Sequence, residues 1–444
     1  MQFIILAALS AAGAAAAQPS PSWRTGMQAV DAETGEVLLD SRSDELFRPA
    51  STVKLITTLL AFRTLGPSSI IETDILADSA GSTIYITGAG APLIEPDDIE
   101  RAAVETASSL RGGSWALVFD TSAFADSNRC PGWDQADWSR VYCPPVEALT
   151  LGDNVLELVM TSDRSSVSVE EYPELPGLEL RGSVAVVTDR TWEPTARPEG
   201  WATSEPVITL GGTMPPDTTV VVYVPFAGAP RQFAEVFANE LETRGLRVTT
   251  VAGGQVPDRA ALTRVAVIRS RPVYEIAAQM NKWSMNVVAE LLLRVSAGSR
   301  PGGEATTRAG CDMAGRMLLE LHGVDGAQVA DGSGLSRLNR ISPSQLVGVL
   351  LEGAGSPEWG PEFLASLAVN GVDGTMASRL SDLPPGAFRG KTGSLGDTAS
   401  LAGLLRTSGG RTIALAIMCE VPQGAVHSAR NWQDGVVREL YSCY

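Results

Sequence analysis

Helical periodicity stops at Gly66 and does not return until residue 272, so whatever folds around the first helix must leave room for a long insertion. That first helix is read from FRPASTVKLITTLLAFRTLG at 47–66: Pro49 and Ser51 stand at its start, apolar residues follow at helical spacing, and Gly66 marks its stop. Ahead of it, GMQAVDAETGEVLLD at 26–40 alternates around a Glu-Thr-Gly turn and predicts a β-hairpin. From 74 to 262 the chain changes to short β-rich runs (STIYITG, SWALVFD, NVLELVM, SVAVVTD, TVVVYVP) between Gly, Pro and Asp turns, which predicts one or two inserted β-rich domains. Helical spacing resumes at 272–297 and 304–322. KTGSLGDTASLAGLL and RTIALAIMCEV then flank a Ser-Gly-Gly turn and predict an antiparallel hairpin, and a final helix is expected over 427–441. Helices on an antiparallel sheet, with β-rich insertions, make an α+β protein.

The first twenty residues, MQFIILAALSAAGAAAAQPS, form an apolar run ending in small residues, the pattern of a signal peptide cleaved after Ala17. No other stretch approaches the ~20 apolar residues that span a bilayer. The expectation is therefore an exported, periplasmic protein, soluble after cleavage and without a stable membrane anchor. The 444 residues, less this leader, exceed one ordinary core and suit two or three units. A net charge of −17 without a clustered basic patch argues against nucleic-acid or anionic-membrane binding. Five cysteines occur, and in an oxidising compartment the close pair Cys130 and Cys143 could close a loop. The two histidines, His322 and His427, stand in neither a ligand-like cluster nor a nucleophile elbow, so neither a metal site nor a Ser-His-Asp triad is expected.

Three short motifs carry the chemistry. In Ser51-Thr-Val-Lys54 the serine and lysine lie three apart on one helix face, so the amine can reach the hydroxyl; a lysine becomes a base only where its pKa falls below about 10.4. Alone, the pattern describes a solvated helix face equally well. Composition tips the balance: of 34 cationic residues only Lys54, Lys282 and Lys391 are lysines, and all three fall within or beside candidate motifs. Arginine cannot be deprotonated in a protein, whereas lysine can act as a base. The second motif, Ser284-Met-Asn286, presents both polar side chains to one cleft only from a loop or turn; its plainer reading is a helix N-cap. The third, Lys391-Thr392-Gly393-Ser394, opens the C-terminal hairpin with a charge, two hydroxyls and a glycine that admits close approach, suited to a substrate carboxylate. A backbone N–H of this strand, with that of Ser51, would form an oxyanion hole.

The set S-x-x-K, S-x-N and K-T-G, in that order, resembles the active site of penicillin-binding proteins and serine β-lactamases. The 232 residues between Lys54 and Asn286, and the segments PGWDQADWSRVYCPPVEALTLGDN, ITLGGTMPP, DGSGLSRLNRISP and GVDGTMASRL, are similar to the class C low-molecular-mass penicillin-binding proteins, the D-alanyl-D-alanine carboxypeptidase/endopeptidase family of penicillin-binding protein 4 type. The resemblance implies a transpeptidase-like domain over 18–73 and 263–444, with 74–262 inserted and a further domain, about 98–199, nested within it. It implies Ser51 as the acylated nucleophile, Lys54 as its base, Ser284 and Asn286 as a proton-shuttling and substrate-orienting pair, and Lys391, Thr392, Gly393 and Ser394 as the carboxylate site. Met285 departs from the Asp or Asn common in the family, and GAGAPL at 88–93 from its usual Gly-Asp-Pro. The implied reaction is acyl transfer on peptidoglycan stem peptides without a cofactor, stalled by β-lactam antibiotics. The competing readings are a non-catalytic peptidoglycan-binding or penicillin-sensing protein and a β-lactamase.

Overall fold

The computed structural model describes residues 19–189, 191–199, 206–323 and 326–444. The expected signal peptide lies outside them. The chain divides into two compact units, one comprising residues up to Ser69, Cys130–Trp133 and Pro272–Tyr444, the other Ile70–Arg129 and Asp134–Arg271.

The first unit is built on a six-stranded antiparallel sheet, in the order Ala368–Val369, Phe388–Leu395, Thr398–Arg406, Thr412–Glu420, Arg24–Asp31 and Val37–Ser41. The N-terminal hairpin therefore completes a sheet begun by the C-terminal strands. The segment expected to be one strand, KTGSLGDTASLAGLL, is two: Gly396 and Asp397 turn the chain so that Leu395 faces Thr398. A Gly-Asp turn between alternating apolar runs is itself a hairpin signal. On one face of the sheet, Leu401, Leu405, Ile413, Leu415 and Ile417 pack with Val436, Val437 and Leu440 of the final helix, Val426–Cys443. Each such side chain contributes about 1.5–3 kcal/mol by leaving water.

The first helix begins as a 3-10 turn, Ala50–Thr52, and continues as Val53–Thr64. Ten of its twelve helical residues are buried, so it is a central helix, apolar on every side apart from Lys54, its threonines and Arg63 in its last turn. The apolar run expected at 272–297 is two helices, Val273–Trp283 and Asn286–Gly298, broken at Ser284 and Met285. Helices Thr307–His322, Pro343–Gly355 and Gly360–Ser366 complete the unit.

The second unit holds a five-stranded mixed sheet, in the order Arg247–Gly253, Ser114–Asp120, Thr83–Thr87, Glu72–Asp78, Thr263–Arg269. Its strands come from both ends of the unit's sequence. The span between carries a three-stranded antiparallel sheet (Thr219–Pro225, Val155–Ser162, Val167–Tyr172) and a smaller sheet about Val207–Met214. Two amphipathic helices, Pro96–Leu110 and Ala229–Thr243, add to the β-rich character read from the sequence. Their polar faces dilute the apolar count in each window, which is why strand-like runs dominated the reading.

Among the described residues no helix is long and apolar enough to cross a membrane. Cys130 and Cys143 are not joined by a disulfide, so the loop closure that their spacing allows is not formed.

Candidate active site

Ser51 is held at the helix entrance by a backbone that an alanine rarely adopts. Ala50 has φ +47° and the chain turns sharply there before the 3-10 turn begins; a left-handed L-residue costs roughly 1–2 kcal/mol, which surrounding packing must hold in place. Two glycines make that packing possible. A Cβ on Gly393 would collide with Ser400 Oγ and come within 2.8 Å of the Pro49 carbonyl and 2.9 Å of Ser51 N. One on Gly334, whose φ is +83°, would collide with the Ala50 carbonyl and come within 2.9 Å of Ser51 N. The K-T-G strand and the D-G-S-G-L-S loop thus close on the Ser51 turn from two sides, and Ser400 Oγ fastens it by donating to the Pro49 carbonyl at 2.5 Å.

Lys54 is fully buried, and its Nζ donates to Ser51 Oγ at 3.2 Å, Asn286 Oδ1 at 2.6 Å and the Ser333 carbonyl at 2.7 Å. Burial pushes its pKa down to about 7, against the pull of the Asp331 and Glu290 carboxylates. An ammonium so placed is poised to lose its proton near neutrality, and the hydroxyl beside it is the one it can activate.

Ser284 and Asn286 reach the same place from the break between two helices. Ser284 has φ +61° and ends the first; Asn286 opens the second. Met285 occupies the N-cap position with no side-chain cap bond, so Ser284 does not cap the helix. The structure pairs Ser284 with Lys391 rather than with Lys54: Lys391 Nζ donates to Ser284 Oγ and to the Thr392 carbonyl, both at 2.9 Å. Burial, with the charge of Lys54, lowers the Lys391 pKa well below the ordinary range. Lys391 is buried, whereas Thr392 and Ser394 are half-buried, and Ser394 Oγ accepts from Arg430 Nη2 at 2.5 Å and Nε at 3.2 Å. The strand Ala368–Val369 pairs only with Gly390 and Arg389, leaving the edge from Lys391 to Leu395 without a neighbouring strand among the described residues. Such an edge can take an extended peptide as one more strand.

Lys282 points elsewhere. Its Nζ lies 2.5 Å from Asp373 Oδ2, an ion pair that ties the end of its helix to the loop after Val369.

Sequence reasoning missed the floor of the site. Glu290, one turn beyond Asn286 and fully buried, accepts from Gly332 N at 3.1 Å and Ser333 N at 2.8 Å, and so fixes the carbonyl that receives Lys54. Burial first, then the Asp331 carboxylate, pushes the Glu290 pKa up to about 7. Asp331 is itself satisfied by Trp133 Nε1 at 2.9 Å, Ser336 N at 2.7 Å, Gly334 N at 2.8 Å and Asn339 Nδ2 at 2.7 Å. A signal existed: Glu290 and Arg294 are the two charges in the otherwise apolar run VVAELLLRV, and a lone charge there must have a partner. His322 bonds the Gln345 carbonyl and His427 bonds Asn431; neither is hydrogen-bonded to Ser51.

Comparison with known proteins agrees with this geometry. The model of the D-Ala-D-Ala carboxypeptidase 3 (S13) family matches residues 9–440. A D-alanyl-D-alanine carboxypeptidase of Actinomadura sp. (strain R39) is 30% identical over 410 residues, covering 85% of this chain and 74% of the relative. The crystal structure of penicillin binding protein 4 from Haemophilus influenzae superposes with a TM-score of 0.81 at 20% identity, over 99% of this chain and 100% of that one. The same protein complexed with a β-lactam gives 0.75 at 19% identity, with the same coverage. With a buried lysine on its serine, an open strand edge beside them and this match along nearly its whole length, the chain belongs to the D-Ala-D-Ala carboxypeptidase 3 (S13) family and is a serine-type D-Ala-D-Ala carboxypeptidase of the penicillin-binding fold.

Proposed function

We propose that Ser51 is the nucleophile and Lys54 its base, acting on the stem peptides of peptidoglycan in the periplasm. Neutral Lys54 takes the Ser51 proton as Oγ attacks the carbonyl carbon of the penultimate D-Ala. The tetrahedral oxyanion is held by the Ser51 N–H and a backbone N–H of the strand Phe388–Leu395. Collapse breaks the C–N bond, and the departing D-Ala amine takes the hydroxyl proton of Ser284, which Lys391 holds in place, while Ser284 is reprotonated with the proton that Lys54 took from Ser51, so that Lys54 is neutral again for deacylation. Asn286 fixes Lys54 and presents its amide to the substrate carbonyl, and Thr392, Gly393 and Ser394 receive the terminal D-Ala. Water then hydrolyses the Ser51 ester. In this reading the catalytic domain is the discontinuous unit that holds Ser51, Lys54 and Lys391, which the chain leaves after Ser69 and re-enters for its last stretch at Pro272, and a β-lactam acylates Ser51 in place of the peptide.

The observation that carries this is the 3.2 Å contact between Ser51 Oγ and a fully buried Lys54 with its pKa near 7. The test is release of D-Ala from a stem pentapeptide. Wild-type enzyme is expected to liberate it and Ser51→Ala to liberate none. Binding of the peptide without release would make the chain a binder, and rapid hydrolysis of nitrocefin without D-Ala release would make it a β-lactamase.

A further inference from the structure

Arg430 sits on the final helix, Val426–Cys443, half-buried beside the K-T-G-S strand. Its Nη2 and Nε both donate to Ser394 Oγ, at 2.5 and 3.2 Å. The carboxylate one turn along, Asp434, is engaged by Arg379, whose Nη2 lies 2.6 Å from Asp434 Oδ1. Among the described residues, no carboxylate stands within ion-pair reach of Arg430. A guanidinium has a planar fork matched to a carboxylate, yet here the fork closes on a neutral hydroxyl while partial burial and the neighbouring Arg379 charge work against it.

The surroundings supply a reason. Lys391, the cation that the sequence assigns to the substrate carboxylate, is buried and turned toward Ser284 Oγ and the Thr392 carbonyl. Ser394 follows Gly393, where a Cβ would come within 2.9 Å of Ser51 N, so it stands next in the strand to the residue that packs on the nucleophile's backbone. A hydroxyl that accepts two N–H bonds has both lone pairs occupied and its own hydrogen left to donate. We propose that Arg430 is a specificity-determining residue that recognises the free carboxylate of the terminal D-Ala, supplying the positive charge while the Ser394 hydroxyl donates to the same group. This inference rests on the reading in which the strand Phe388–Leu395 holds the substrate's C-terminal end. It confines efficient turnover to bonds followed by a free carboxylate.

The test compares two thioesters that differ only in that group, N-benzoyl-D-alanyl-thioglycolate and its methyl ester. In both, Ser51 attacks the thioester carbonyl and the thiolate leaves, so the chemistry is shared. Wild-type enzyme is expected to prefer the acid in kcat/KM, and Arg430→Gln to shrink that preference by about tenfold to a hundredfold, the worth of a charge-assisted hydrogen bond, chiefly through KM. Arg430→Lys, which keeps the charge and loses the fork, should fall between them, and it decides the matter if the glutamine variant does not fold. A ratio of acid to ester that is unchanged in the variants, whatever happens to the absolute rates, overturns the proposal, as does a wild-type ratio of one. Failure of the underlying reading is seen separately, as wild-type protein that neither cleaves the acid nor carries a penicillin adduct on Ser51.

Discussion

Lys54 is fitted to the proposed role of base because burial outweighs the two carboxylates, Asp331 and Glu290, that favour its protonated form. Burial lowers its pKa to about 7, and the acid form is the inactive one, so Ser51 acylation should rise with pH and reach half its maximum near neutrality. Stopped-flow acylation by a chromogenic cephalosporin across pH 5–9 measures this. Lys54→Arg keeps the charge but cannot deprotonate, and is expected to slow acylation by roughly 10²–10⁴. Glu290→Gln tests the floor of the site. Lys54, Asp331, Arg294 and the Cys130 thiol are the charged or titratable groups bearing on Glu290. Removing the Glu290 charge takes away attraction that favours protonated Lys54, so the acidic limb should move to lower pH. A uniform loss of rate with an unmoved limb would make Glu290 a purely structural residue. The sequence exposed Ser51, Lys54 and Lys391 because lysine is so scarce in this chain. Glu290 is marked only as a charge in an apolar helix, which says that it has a partner and not which one, and Arg430, one arginine among many, carries no mark of what it faces after folding.

At the scale of elements, the turn at Ser51 is held from two sides by segments that approach only because they carry glycine. Gly334→Ala would force a side chain onto the Ala50 carbonyl at a φ of +83°. It is expected to lower both the melting temperature and the acylation rate, whereas Gly315→Ala, at a helix position with open space around it, should leave both unchanged. Thermal denaturation and penicillin labelling of the two variants check this. Leu401→Ala, in the centre of the sheet, should cost about 2–5 kcal/mol without moving any group of the site. The hairpins and the first and last helices were legible because their periodicity and turn residues agree. The two-helix break at Ser284 was legible from the S-x-N motif, which required a turn or a helix start there, and not from the apolar spacing, which runs through it. The turn at Gly396 and Asp397 was passed over because strand-like residues flank it closely on both sides.

For the whole molecule, the groups proposed to act in catalysis all belong to one compact unit, although the chain leaves that unit after Ser69, rejoins it at Cys130–Trp133 and returns to it for good after Arg271. Two units with separate cores need not melt together, and covalent occupation of Ser51 stabilises only the unit that contains it. Calorimetry is expected to show two overlapping transitions, with benzylpenicillin raising one and not the other. The long gap between Lys54 and Asn286 was the sequence's clearest statement about architecture, since it required an insertion between residues that share one hydrogen bond. The course of the chain within that insertion was less legible, because helices with polar faces and short strands alternate there without strong punctuation. The central claim is that Ser51 is an acylated nucleophile, and intact mass spectrometry with benzylpenicillin, followed by peptide mapping, tests it most directly. The account predicts a mass increase of one penicillin, mapped to Ser51 and absent from Ser51→Ala. An adduct on another residue, or folded protein that leaves penicillin intact and carries none, would contradict it.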